Sequence, residues 1–127
     1  MTMTTPERDE GVLPRRAGDL TPAAALFHSL SDPARLAILK HLTLGEHRVR
    51  DLTEHLGLAQ STVSAHLACL RDCGLVTSRP QGRASMFSLT TEDELLAVLA
   101  GAERLLEVTG YAVELCPNHG PGRAPAS

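Results

Sequence analysis

Two short runs of helical periodicity, separated by Gly57-Leu58-Ala59 and closed by Gly74, constrain this chain more than any other feature. Val49, Leu52 and Leu56 recur at helical spacing and stop at Gly57, a residue suited to the left-handed conformation that ends a helix. A second run, from about Gln60 or Ser61 to Cys73, places Val63, Leu67 and Leu70 on one inward face. Two short helices joined by a tight turn with glycine form a helix-turn-helix. Strand-like residues follow at Leu75 to Ser78 and Ala84 to Leu89, around Pro80-Gln81-Gly82-Arg83. That pattern predicts a hairpin, the wing.

The flanking segments read as helices. Thr21-Pro22 and Asp32-Pro33 each pair an N-capping residue with proline at the first helical position, opening helices that run to about Leu30 and through Leu36, Leu39 and Leu42. Thr91 and Glu94 have capping-box spacing, and Leu95, Leu99, Ala102 and Leu106 stripe a last helix ending near Gly110. Leu96, Val98 and Leu105 add more apolar surface than one small core needs, which predicts pairing with a second copy. Aromatic residues make up only 2% of a chain that is 43% hydrophobic, so the core is built from Leu, Ala and Val, a mixture that favours helices. The expected fold is mainly α, a winged helix-turn-helix with a two-stranded β-wing that dimerises through its terminal helices. Residues 1–19 read as a disordered or loosely ordered arm, 20–110 as the DNA-binding and dimerisation domain, and 111–127 as a C-terminal tail.

The net charge of −3 hides an uneven distribution. Residues 33–90 hold seven Lys/Arg against four Asp/Glu, whereas residues 91–127 hold two against six. The basic middle coincides with the helix-turn-helix, where phosphate binding needs it. Gln60, Ser61, Thr62 and Ser64 at the start of the second helix are small hydrogen-bonding residues suited to the major groove, with Gln60 the candidate reader of adenine. Arg48 and Arg50 are positioned to hold the DNA backbone, and Arg79 and Arg83 flank the hairpin turn. Met1 to Asp19 has no apolar signal core and no apolar run reaches membrane-spanning length, so a soluble, cytoplasmic protein is expected. No nucleophile-base arrangement, phosphate-cradling glycine loop or paired acidic motif points to an enzyme.

Cys69 and Cys73 stand four residues apart in the second helix of the motif, and Cys116 lies in a tail rich in proline and glycine. An odd number of cysteines in a reducing compartment points away from a disulfide framework and leaves buried thiols, metal ligands or redox chemistry. Residues four apart on a helix have Cβ atoms roughly 5–6 Å from each other, so two thiolates there converge on one soft ion. By helical geometry Cys69 lies roughly 125° and Cys73 roughly 90° from the inward face, which argues against a simple core role for Cys69.

From Leu30 to Leu89 the sequence resembles the ArsR/SmtB family of winged-helix metal-responsive repressors. Leu30-Ser31-Asp32-Pro33-Ala34-Arg35-Leu36-Ala37-Ile38-Leu39 is similar to the family's entry motif. Val49 to Leu67, continuing into Leu70-Arg71 and Gly74-Leu75-Val76, is similar to its helix-turn-helix signature. The resemblance implies a homodimer that binds operator DNA without metal and leaves it when metal binds. It also carries over His66 as a recognition-helix residue with a hydrogen-bonding or DNA-proximal role. Two of the family's sensing sites are empty here: His47-Arg48-Val49 replaces the cysteine pair of the arsenic-type site, and Thr91 to Gly110 contains no histidine for the zinc-type site. The cadmium- and lead-sensing subgroup instead uses two recognition-helix cysteines and one tail cysteine. Cys69, Cys73 and Cys116 match that set, with His119 as an optional fourth ligand, Cd²⁺ or Pb²⁺ as the inducer and Zn²⁺ as an alternative.

Two rival readings stand beside this one. A thiol-redox or persulfide switch would use the same cysteines with oxidation as the signal, and a protein-interaction module would use the same fold without DNA. His28, His41, His47 and His55 are scattered along the sequence and read as surface or boundary residues rather than ligands.

Overall fold

The computed structural model describes residues 18–111 and Leu115. In chain order these form α1 (Thr21–Ser29), α2 (Pro33–Leu42), β1 (His47–Arg48), α3 (Val49–Leu56), α4 (Gln60–Asp72), β2 (Val76–Gln81), β3 (Ala84–Leu89) and α5 (Glu92–Val108). All five helices expected from the sequence are present.

Their ends show which local signals operate. Asp32 caps α2 as expected, its Oδ1 accepting from the backbone N–H groups of Ala34 at 2.7 Å and Arg35 at 3.2 Å. Those bonds, that from Arg35 above all, hold the Asp32 carboxyl below its ordinary range. Gly57, at φ 69°, ends α3 in the left-handed conformation that residues with a Cβ avoid. Two expected caps differ. The N-cap of α1 is Leu20, with Asp19 Oδ1 accepting from Thr21 N at 3.0 Å, so Thr21 is already helical. Thr91 sits at the N-cap of α5 but makes no side-chain capping bond. The box with Glu94 is therefore not formed.

The wing hairpin is present, and a third strand joins it. The antiparallel order is β1-β3-β2, with His47 opposite Phe87 and the β2–β3 register running from Val76 opposite Leu89 to Gln81 opposite Ala84. The β1 segment has only two residues, too short to leave a periodic signal. The hairpin strands are also longer than Pro80 suggested, because β2 is an outer strand, where a residue without an N–H is tolerated. Only Gly82-Arg83 turns, with Gly82 at φ 63°.

The core gathers Ile38, Leu39 and Leu42 from α2, Leu52 from α3, Val63, Leu67 and Leu70 from α4, Val76 and Phe87 from the sheet, and Leu95 and Leu99 from α5. The inward face of α4 is the one its periodicity predicted. Truncating Leu67, which is 1% exposed, to alanine is expected to cost about 2–5 kcal/mol. The terminal helices are different. α1 buries only Ser29, and Phe27, Val98, Leu105 and Val108 are exposed. Glu103, rather than the half-buried Ala102, continues the buried stripe of α5, and its carboxylate accepts the backbone N–H of Leu115. The chain beyond α5 thus returns to this helix at Leu115, which also packs on the core.

Candidate metal centre and nucleic-acid interface

His66, Cys69 and Cys73 fall at i, i+3 and i+7 on α4 and so form one stripe. This stripe faces the end of α1 and the start of α2. The hydroxyl of Ser29 lies 2.8 Å from Cys73 Sγ and 3.8 Å from Cys69 Sγ. Both thiols are free and half-buried, while Ser29 is only 3% exposed. Turned from the core as helical geometry requires, the cysteines are covered by α1 instead.

Arg35, from the Asp-Pro-Ala-Arg motif, ties the same corner together. Its Nε donates to Ser29 O at 2.7 Å and its Nη2 to His28 O at 2.9 Å, satisfying carbonyls at the C-terminal end of α1. Its Nη1 lies 3.3 Å from His66 Nδ1, and His66 Nε2 lies 3.7 Å from Asp32 Oδ1. Both ring nitrogens of His66 therefore face protein partners. Sequence reasoning missed Ser29 and Arg35 in this role. The available signal was a polar residue three after Leu26, on the inner side of α1.

The donor set suits a soft cation. Two thiols that flank one hydroxyl offer two sulfur donors from one face, and thiolates select soft metals. Cys116 and His119 lie outside the described residues.

The other end of α4 is open. Gln60, Ser61 and Ser64 are exposed and Thr62 is half-buried. Ala59 at the N-cap provides no side-chain capping bond, so the first N–H groups of the helix are available to an anion. An open groove of about 580 Å³ joins Gln60 to Arg48, Arg50 and Ser85. The arginines differ in their engagement. Arg79 makes a two-pronged pair with Glu46 at 2.8 and 2.9 Å, which lowers the Glu46 carboxyl and raises the guanidinium. Arg48 bonds Asp51 at 3.3 Å and holds that carboxyl low. Both pairs are accessible to solvent. Arg50 and Arg83 are exposed and carry no ion pair among the described residues.

Comparison with known proteins agrees with the winged helix-turn-helix fold. Residues 32–78 match the family described as bacterial regulatory protein, arsR family. A probable mercury resistance operon repressor of Streptomyces lividans is 36% identical over 99 residues, covering 78% of each chain. The chain belongs to the ArsR family. A transcriptional regulator named CmtR from Mycobacterium bovis is 46% identical over 66 residues, covering 52% of this chain and 56% of its own. Among solved structures, a homodimeric winged helix-turn-helix DNA-binding domain from Mycobacterium bovis superposes with a TM-score of 0.60 at 29% identity, covering 72% of this chain and 95% of that one. Members of the ArsR family are DNA-binding regulators rather than enzymes. No helix of the described residues is long and apolar enough to cross a membrane.

Proposed function

We propose that this ArsR-family protein is a cytoplasmic, metal-responsive transcriptional repressor that binds operator DNA as a metal-free homodimer and leaves it when its thiols take up Cd²⁺ or Pb²⁺, with Zn²⁺ as an alternative inducer. One observation carries the reading: Cys69 and Cys73, on the recognition helix itself, share the buried hydroxyl of Ser29. The resistance-operon and CmtR relatives support a metal signal in general. The domain of residues 20–110 provides the fold, and Cys116, with or without His119, completes the ligand set from the tail.

Gln60, Ser61, Thr62 and Ser64 enter the major groove, Gln60 reading adenine and the N–H groups of α4 holding a phosphate. Arg50 and Arg83 bind backbone phosphates directly, and Arg48 and Arg79 join them by exchanging Asp51 and Glu46. Pairing of two copies through α1 and α5 covers Phe27, Leu105 and Val108 and spaces the recognition helices for successive grooves, roughly 34 Å apart. Bound at this corner, a soft cation supplies charge and a fixed bond direction to the thiolates. Cys69 and Cys73 would hold the ion, and Ser29, which lies against both thiols at the end of α1, is the residue through which that helix would sense their engagement. His66 and Arg35 hold the same corner and fix how far α4 moves against it. Release requires that the free protein bind the ion more tightly than the DNA-bound one, and operator DNA weakens metal binding by the same factor.

Titration of the protein on its own upstream DNA, followed by fluorescence anisotropy, tests this. Cd²⁺ is expected to release the DNA together with thiolate-to-metal ultraviolet absorption. Release by peroxide or polysulfide but not by Cd²⁺ would favour the redox switch, and absence of salt-dependent operator binding would favour the protein-interaction module. Gln60→Ala is expected to cost about 1–3 kcal/mol and relax specificity at one base pair. Arg83→Ala should weaken all sequences alike and lower the salt slope by about one.

A further inference from the structure

Three histidines that are distant in sequence meet in space. His41 lies in the last turn of α2, His47 in β1 and His55 in the last turn of α3. One ligand nitrogen from each lies within 4.8 Å of the others, and their ring centroids are 4.7, 4.7 and 5.7 Å apart. Each is a surface or boundary residue, as expected from the sequence, but the fold brings the three together at one place. The cluster is separate from the thiol corner and uses none of its residues.

We propose that His41, His47 and His55 form a second metal site, an all-imidazole one that takes Zn²⁺ or a similar borderline first-row cation. Imidazole nitrogens suit zinc, nickel and copper, whereas the thiols of Cys69 and Cys73 suit softer ions. His47 is already oriented for ligation. Its Nδ1 lies 2.8 Å from Gly45 O, and since a carbonyl only accepts, Nδ1 carries the proton and leaves the Nε2 lone pair free. Such a backbone bond is the usual outer partner of a metal-binding histidine. His41 Nε2 and His55 Nδ1 are 2.7 Å apart and share one proton. Tetrahedral ligation at about 2.0–2.1 Å would separate them to about 3.3 Å, a small splay of two side chains. The shared proton then moves to the outer nitrogen of its own ring, and no oxidant or base is needed.

The surroundings favour a cation. The C-terminal turns of α2 and α3 both end here, and helix C-termini carry partial negative charge. His55 is exposed and the other two are half-buried, which leaves an open position for water as a fourth ligand. An ion here would clamp α2 and α3 to β1, the strand that pairs with the wing.

The test uses an untagged Cys69→Ser, Cys73→Ser, Cys116→Ser protein, titrated with Zn²⁺ against a chromophoric chelator and with Co²⁺ by visible absorption. One ion per chain is expected, with a Co²⁺ d–d band and no thiolate charge-transfer band. His47→Gln and His55→Gln should each weaken binding at least about tenfold, and His28→Gln should leave it unchanged. Nitrogen-detected NMR of the same cysteine-free protein should show Zn²⁺ shifting the rings of His41, His47 and His55 but not His28 or His66, which keeps the test independent of how the histidine variants fold. Binding no tighter than in the His41→Gln, His47→Gln, His55→Gln variant, or shifts at other histidines, overturns the proposal. Failure of Cd²⁺ to release DNA leaves it standing, because the two sites share no residue.

Discussion

The thiol corner and the histidine cluster gather ligand atoms by opposite means. Cys69 and Cys73 are brought together by one helix, and the local repeat of α4 alone places them on one stripe. His41, His47 and His55 come from three elements, and only packing of α2 on α3 and pairing of β1 with β3 unites them. A site built within one helix survives loosening of the tertiary structure but moves with that helix. A site built across elements reports on their arrangement. On the proposed reading, metal bound by α4 would act on the position of that helix itself, while metal bound by the histidine cluster would hold the frame around it.

The largest expected effect separates the two directly. A Cys69→Ser, Cys73→Ser protein should lose Cd²⁺-dependent operator release by at least about 100-fold in metal concentration while still binding DNA and one Zn²⁺. If Zn²⁺ binding disappears as well, the sites are not independent and the comparison breaks. Next in size is the reciprocal change: His47→Gln, His55→Gln should weaken Zn²⁺ at least about tenfold, with the Cd²⁺ charge-transfer band intact, measured on one preparation. Ser29→Ala should cost only about 1 kcal/mol of stability in a denaturant titration, since a hydroxyl with two soft partners is lost. It should leave the Cd²⁺ absorption in place but change the Cd²⁺ concentration that releases DNA. An unchanged release curve would remove Ser29 from the coupling.

The smallest effect is a pH dependence of the metal-free protein. Burial, together with the charges of His47 and His55, holds His41 below its ordinary value. The unfolded chain therefore takes up a proton more readily, and stability is fully present above the unfolded value of about 6.5 and declines as pH falls below it. Denaturation midpoints between pH 7.5 and 5.5 should show the decline, and His41→Gln should flatten it.

Much of the fold was legible because its signals are local. Asp32-Pro33, Gly57 and Gly74 mark helix ends within one or two residues, and the Val63, Leu67, Leu70 face follows from period alone. Thr91 misled, since a capping box is only a spacing until the side chains close it. Strand β1 was hidden because two residues have no period and their partner is some 40 positions away, at Met86 and Phe87. The thiol pair was legible for the same reason as the helices. Ser29, Arg35 and the histidine cluster were not, because each acquires its neighbours from α4, α1 or α3 only after the chain has folded.

Pro80 in the outer strand of the wing has one more consequence. An uncovered strand offers its backbone to any extended segment that approaches. Lacking an N–H, Pro80 removes one rung from that ladder, and Arg79 beside it adds charge. The outer edge of the wing is therefore guarded against recruiting another strand at that position.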